Sequence, residues 1–242
     1  MNAIQTINLT KKYKDCIAVD NLNLEIRQGE VFSLLGINGA GKTTTVKMLS
    51  CLTLPTSGQG YVAGHSITQS PHHIKEIIGV SPQETAIAPN LTVCENLELI
   101  CGIYGLSKEC QKSRINRLSQ QLNLHSILLK KAGKLSGGWQ RRLSIAMALV
   151  SEPTILFLDE PTLGLDVIAR SELWDIIKSL KGRMTIILTT HYMEEAEALS
   201  DRIAIMKDGK LLAVGTPTEL MNLTSTAKFE SAFVSIIKGG GI

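Results

Sequence analysis

The sequence predicts an α/β protein: a mostly parallel sheet flanked by helices, with an N-terminal antiparallel β subdomain and a helical subdomain inserted between strands. Three observations carry this reading. From Val31 onward, short apolar runs alternate with helix-like segments, the order that gives parallel strands joined by crossover helices. Before Val31, two long runs alternate between apolar and polar residues with no helix between them. Between Gln83 and Lys134 the strand signal is lost and helical spacing replaces it.

In chain order, residues 4–12 and 18–26 read as strands, and the pattern through Val19, Asn21, Leu22, Asn23, Leu24, Glu25 and Ile26 turns one face to water. Gln28-Gly29-Glu30 is the turn into a third strand, 31–35, and these strands are expected to form an antiparallel edge on the parallel core. A helix over 43–50 follows, then a strand-like 79–81 and strands at 154–158, 184–189 and 202–207. Within the insertion, residues 92–104 carry Val93, Leu97, Ile100, Cys101 and Tyr104 at helical spacing. Residues 107–122 form a more polar helix with Ile115, Leu118 and Leu122 on its apolar face. The expected organisation is a single domain over 1–242. Its core is 1–83 and 152–220, its helical subdomain is about 84–151, and a C-terminal helix and tail occupy 221–242, frayed over 238–242.

A chain of 242 residues can bury a full core with an inserted subdomain. Its formal net charge of +3 is mild and its basic residues are scattered, so no nucleic-acid partner is expected. The five cysteines, Cys16, Cys51, Cys94, Cys101 and Cys110, include no C-x-x-C pair. Their odd number, with no basic and apolar leader at the N-terminus, favours reduced, buried thiols in the cytosol over metal, redox or secretory roles. No run approaches the ~18 apolar residues of a membrane span, so the chain is not expected to cross a bilayer itself.

Residues Gly36-Ile37-Asn38-Gly39-Ala40-Gly41-Lys42-Thr43 fit G-x-x-x-x-G-K-[ST] between an apolar strand and a helix, the setting that gives a P-loop match its meaning. The three glycines let the backbone turn tightly, so that amides from Asn38 to Thr44 cradle phosphate oxygens with the helix N-terminus behind them. Lys42 supplies a point charge to the β- and γ-phosphates, and the Thr43 hydroxyl is placed to ligate magnesium. Ile155-Leu156-Phe157-Leu158 is short and apolar enough for a strand buried on both faces, and it ends in Asp159-Glu160. Open α/β sheets bind ligands at strand C-termini, so Asp159 is expected to hold the magnesium through its hydration shell and Glu160 to act as general base on the attacking water. Leu135-Ser136-Gly137-Gly138-Trp139-Gln140 opens an apolar helix over 143–150 with Ser136 at its N-cap. By itself that segment reads first as a capped, buried helix and second as another helix N-terminus suited to phosphate.

On these residues the chain resembles the nucleotide-binding domain of ABC transporters over nearly its whole length. Beside the P-loop and the Asp159-Glu160 strand end, Gln83 stands at the Q-loop position and Leu135-Ser136-Gly137-Gly138 at the signature. Gly164-Leu165-Asp166 matches the D-loop and His191 the switch histidine, all in family order. Tyr13 matches the aromatic residue that stacks on adenine in similar proteins. The resemblance implies the ABC ATPase fold, ATP and Mg2+ as ligands, and a second ABC ATPase subunit, identical or different, packed head to tail. In that arrangement Ser136, Gly137 and Gly138 contact the γ-phosphate in trans and Asp166 communicates across the interface. His191 holds the γ-phosphate and attacking water, and Gln83 senses magnesium and links the site to a membrane partner. Trp139 stands where the family most often has glutamine; backbone amides bind phosphate whatever that side chain is, so activity is expected to survive.

The run His191-Tyr192-Met193-Glu194-Glu195-Ala196-Glu197-Ala198-Leu199-Ser200-Asp201-Arg202 is similar to the ATPase subunits of type-2 exporters, among them drug-resistance and sodium-export systems, as are residues 209–217 and 229–234. Residues 131–134 lack the glutamate-containing element of many fused exporters, which favours a separately encoded permease, docked at about 84–99. The function implied is an ATP-hydrolysing subunit driving export, peripheral to the cytoplasmic face of the membrane. The alternative is a soluble ABC ATPase of cofactor assembly, translation or DNA maintenance. A simple P-loop kinase leaves Ser136 to Gly138, Asp166 and His191 unexplained.

Overall fold

The computed structural model describes residues 2–239; residues 240–242 of the expected tail lie outside that range. The chain opens with β1 (Asn2–Tyr13), β2 (Cys16–Arg27) and β3 (Val31–Gly36), followed by α1 (Lys42–Leu49). Next come β4 (Ser57–Val62), β5 (His65–Ser66), α2 (Pro71–Ile77) and β6 (Ile78–Ser81). A helical stretch holds α3 (Val93–Ile103), α4 (Lys108–Gln121), two 3-10 turns at His125–Ile127 and Ala132–Lys134, and α5 (Gly137–Ala148). The remainder is β7 (Ile155–Asp159), α6 (Val167–Leu180), β8 (Thr185–Thr190), α7 (Met193–Leu199), β9 (Arg202–Lys207), β10 (Lys210–Gly215), α8 (Pro217–Leu223) and α9 (Phe229–Lys238).

Two sheets form. One runs β10-β9-β3-β8-β7-β6, parallel except for the antiparallel edge strand β10. The other runs β2-β1-β4-β5 and is antiparallel throughout. The expected antiparallel edge is therefore corrected: β1 and β2 build a sheet of their own, while β3 sits inside the parallel one. The reason lies in the alternation of β2, whose Leu22, Leu24 and Ile26 are buried. That face packs with Ile4 and Leu9 of β1 onto Phe32, Leu34, Val46 and Met48, layer against layer.

Strands β3, β7 and β8 are buried at every position, as their largely apolar runs lead one to expect of central parallel strands. Successive residues of β7 serve opposite cores: Leu156 and Leu158 join one cluster and Ile155 and Phe157 the other. The core that holds Leu156 also takes Leu143, Ile145 and Ala146 of α5, so this helix packs directly on the parallel sheet. Helix α3 starts in a capping box: Thr92 Oγ1 accepts from the Glu95 amide at 3.2 Å, and the Glu95 carboxylate accepts from the Thr92 amide at 2.7 Å. Between Gln83 and Lys134 the β pairing among the described residues is the single bridge Thr92 to Lys131.

The thiols are all free, and one expectation about them is corrected: Cys101 is buried, whereas Cys16 and Cys110 are exposed. Cys16 lies at the β1–β2 turn and Cys110 in the first turn of the polar helix α4, neither of which has a second layer over it. Among the described residues no helix is long and apolar enough to cross a membrane.

Candidate functional site

The chain leaves β3 at Gly36, where any side chain would meet the Met206 carbonyl of β9, and re-enters a helix at Gly41. Gly41 has φ 98°, and a Cβ there would meet the Ala18 carbonyl of β2. The loop between them is thus clamped by both sheets, and the Gly209 amide adds a bond to the Ala40 carbonyl at 3.2 Å. No side chain caps α1, which leaves its first amides, from Lys42 onward, free of intrahelical partners.

Side chains on one strand alternate, so neighbours at 159 and 160 should face opposite ways. They do not, because Glu160 adopts a left-handed backbone with φ 48°. Such a conformation costs a non-glycine residue about 1–3 kcal/mol. It is held by the Glu160 amide, which donates to both the carbonyl (3.1 Å) and Oγ1 (3.0 Å) of Thr189 on β8. Asp159 Oδ1 accepts from Thr43 Oγ1 at 3.1 Å and from Thr189 Oγ1 at 2.5 Å. Glu160 Oε1 lies 3.3 Å from Lys42 Nζ, and Oε2 lies 2.8 Å from His191 Nδ1. Lys42 Nζ also donates to the carbonyls of Gly36 (2.8 Å) and Ile37 (3.3 Å). Lys42, Asp159 and Glu160 are 5–6% exposed, so each buried charge has a partner, as desolvation demands. His191 packs at 4.0 Å on Tyr192, over which the Arg170 guanidinium sits at 5.2 Å.

These groups face a cavity of about 710 Å³. Of the residues expected at the site, Asn38, Gly39, Ala40, Gly41, Lys42, Thr43, Thr44, Gln83, Glu160 and His191 line it, and Asp159 stands behind Thr43. Tyr13 does not line it. It lies at the end of β1 opposite Cys16, and Cys16, Ile17 and Ala18 contribute the wall there. Leu163 and Asp208 complete the lining. Sequence reasoning passed over these five and Thr189; the Asp208-Gly209 turn signal and the position of Thr189 two residues before His191 were the available hints.

Ser136, Gly137, Gly138 and Asp166 are not part of the cavity wall. Ser136 is the N-cap of α5, yet its hydroxyl makes no capping bond, which corrects the capping role read from the sequence. Asp166 caps α6, accepting from the Ala169 amide at 2.8 Å. A Cβ on Gly138 would stand 3.0 Å from that of Ala169, so the turns at 136–138 and 164–166 lie side by side on a second surface.

Glu195 is wholly buried beneath this region, with the Trp174 indole N–H donating to Oε1 at 3.2 Å. Burial pushes its carboxyl pKa up; Thr190, Thr162 and Trp174 oppose the shift and the Glu160 charge reinforces it. The folded state therefore holds the proton more tightly than the unfolded one, and stability falls as pH rises from the unfolded value through the raised folded value. Glu195→Gln is expected to melt higher than the parent at pH 8, by about 2–4 °C per kcal/mol relieved. The difference should shrink towards pH 5 in paired thermal melts, and a Gln variant less stable at pH 8 would show that the ionised carboxylate is needed.

Chemically, the cavity pairs a cradle for a polyphosphate with a hydroxyl and a carboxylate oxygen suited to a hard divalent cation, and it places a second carboxylate to polarise water. A family model described as ABC transporter matches residues 19–163, more than half of the chain. The chain is 42% identical over 241 residues to "Probable multidrug ABC transporter ATP-binding protein YbhF" of Escherichia coli (strain K12), covering 97% of this chain and 41% of that protein. It is 42% identical over 212 residues to Nod factor export ATP-binding protein I of Burkholderia pseudomallei (strain 1710b), covering 87% of this chain and 70% of the relative. A solved dimeric structure, the post-hydrolysis state of the ATP-binding cassette MJ0796 bound to ADP and Pi, matches with a TM-score of 0.79 at 30% identity, over 88% of this chain and 98% of the other.

Proposed function

This chain belongs to the ABC transporter family, and on that premise we propose that it binds and hydrolyses ATP at a head-to-tail dimer interface and so drives export through a separately encoded membrane permease. The observation that carries the reading is the chain of contacts Lys42–Glu160–His191 facing the same cavity as the P-loop. Lys42 and the first amides of α1 bind the β- and γ-phosphates. Glu160 accepts a proton from the attacking water, and His191 holds that carboxylate and the γ-phosphate in register. Thr43 Oγ1, Asp159 and Gln83 fit magnesium, being hard oxygen donors; when bound, it neutralises charge on the phosphates. Tyr13, 45% exposed, is the proposed adenine platform at the outer edge of the cavity. Catalysis of this kind rests on positioning and charge neutralisation, with no covalent intermediate.

Ser136, Gly137 and Gly138 lie outside the lining of their own cavity, which suits them to the γ-phosphate of a second subunit, with Asp166 beside them at the joint. Two ATP molecules closing the dimer, and hydrolysis reopening it, give the permease two conformations to follow. The transport reading is favoured over a soluble ATPase by a groove of about 480 Å³ beside the Gln83 segment, lined by Val80, Pro82, Ala86, Ile100, Ile103 and Met147. Ile103 and Leu52 at this groove are 71% and 65% exposed, an apolar surface fit for a permease's cytoplasmic helix. Docking there puts the chain on the cytoplasmic face of the membrane.

The test is a pull-down of the tagged chain from gently solubilised native membranes, with ATPase assayed with and without the co-purified proteins. A multi-span membrane protein that stimulates hydrolysis is expected; recovery only with ribosomal, DNA-associated or assembly factors would sink the transport reading. His191→Ala is expected to leave ATP binding intact and lower turnover roughly 100- to 1000-fold, as loss of one charge-stabilising group at the reacting centre does. Unchanged turnover in a steady-state phosphate-release assay would make the histidine structural.

A further inference from the structure

Arg141 lies on α5, five residues beyond Ser136, and the residue is only 5% exposed. Nη1 donates to the Pro82 carbonyl and Nη2 to the Gln83 carbonyl, both at 2.6 Å. No carboxylate is in ion-pair contact with it among the described residues; Asp159 and Glu195 act on its charge from farther away, against burial that lowers its pKa. A buried cation is costly unless its donors are satisfied, so this one is committed to the backbone that carries Gln83.

The clamp is the end of a row. Three residues on, Ser144 Oγ lies 2.9 Å from Ser81 Oγ, and four further on the Ala148 carbonyl rests against Gly79, where a Cβ would collide with it. Positions 141, 144 and 148 form one stripe of the helix, and 83, 81 and 79 alternate along β6 and its exit. The helix that begins at Ser136 is thereby latched along the strand that delivers Gln83 to the cavity, and Arg141 is the tooth nearest the cavity.

We propose that Arg141 is a positioning residue that locks the Gln83 backbone to α5, so that the placement of Gln83 in one subunit's nucleotide cavity sets the placement of Ser136 to Gly138 against the other subunit's nucleotide. This rests on the dimeric ATPase reading above. A lysine has the charge without the two-pronged geometry and cannot hold both carbonyls in one plane.

The test uses the full chain with Arg141→Gln and Arg141→Lys, alone and combined with Gln83→Ala, reading trinitrophenyl-ATP affinity, KM and kcat. Arg141→Gln is expected to change nucleotide affinity by less than about twofold and to lower kcat by roughly tenfold or more, the scale of sub-ångström to ångström misplacement. Arg141→Lys should fall between. In the Gln83→Ala background the Arg141 substitutions should cost little more, because the side chain they place is gone, whereas a merely structural role would multiply the two losses. Unchanged kcat in Arg141→Gln, a parallel loss of affinity, or multiplicative losses overturn the proposal. If Arg141→Gln does not fold, the Arg141→Lys cycle decides by the same criteria. A parent chain that binds and hydrolyses no ATP sinks the functional reading itself and this inference with it, an outcome separate from failure of the latch alone.

Discussion

Lys42→Ala is expected to weaken ATP binding by at least roughly 100-fold, because each charge-assisted hydrogen bond to a phosphate contributes about 1.5–3 kcal/mol and the proposed role of Lys42 is to bind two phosphates. The side chain is 6% exposed and already aimed by the Gly36 and Ile37 carbonyls and by Glu160, so it needs no reordering to meet an anion. Its loss leaves Glu160 buried with His191 as its remaining contact of the two. Titration with a fluorescent ATP analogue, beside a thermal melt without nucleotide, separates the effects. A folded variant with parental affinity would remove Lys42 from the phosphate site.

Glu160→Gln is expected to lower turnover about 10²- to 10⁴-fold, the range supplied by a general base, while leaving ATP bound. The amide nearly preserves shape but cannot take the proton from water, and one end of it must turn an N–H towards Lys42 or His191, which now approach its two oxygens at 3.3 and 2.8 Å. With hydrolysis stopped and binding retained, the closed dimer should accumulate. Size-exclusion chromatography with magnesium and ATP, run beside phosphate release, checks both halves. Normal hydrolysis by this variant would remove the base assignment, and a monomer that stays monomeric with ATP bound would separate binding from closure.

Legibility of the fold followed the strength of each local pattern. The buried strands β3, β7, β8 and β9 stood out as short, mostly apolar runs, and the helices α3 and α4 because their apolar positions repeat at helical spacing. Strand β4 was not legible: Ser57-Gly58-Gln59-Gly60 reads as a loop. It pairs with β1 because Gly58 lets the Asn8 backbone pass where a Cβ would collide, a reason that exists only once the partner strand is present. Helix α2, seven residues with Ile74 as its buried position, was likewise too brief to show a period.

The sequence by itself determined the α/β class, the alternation of strands with helices from Val31 onward and the chemistry of the cavity. A glycine-rich turn ending in Lys42-Thr43 and a buried strand ending in Asp159-Glu160 are local patterns whose residue types carry their own physical meaning. Tertiary structure alone decided how those patterns meet. It turned Glu160 back towards Lys42 through a left-handed residue held by Thr189, 29 positions away. It set the N-terminal strands in a second layer, with the Ala18 backbone closing over Gly41. It left Ser136 to Gly138 outside the cavity and tied their helix to Gln83 through Arg141. These are long-range contacts between groups that have no preference for one another along the chain. They become favourable only when the two sheets and their helices have already packed, because only then does burial make each unpaired charge and amide costly.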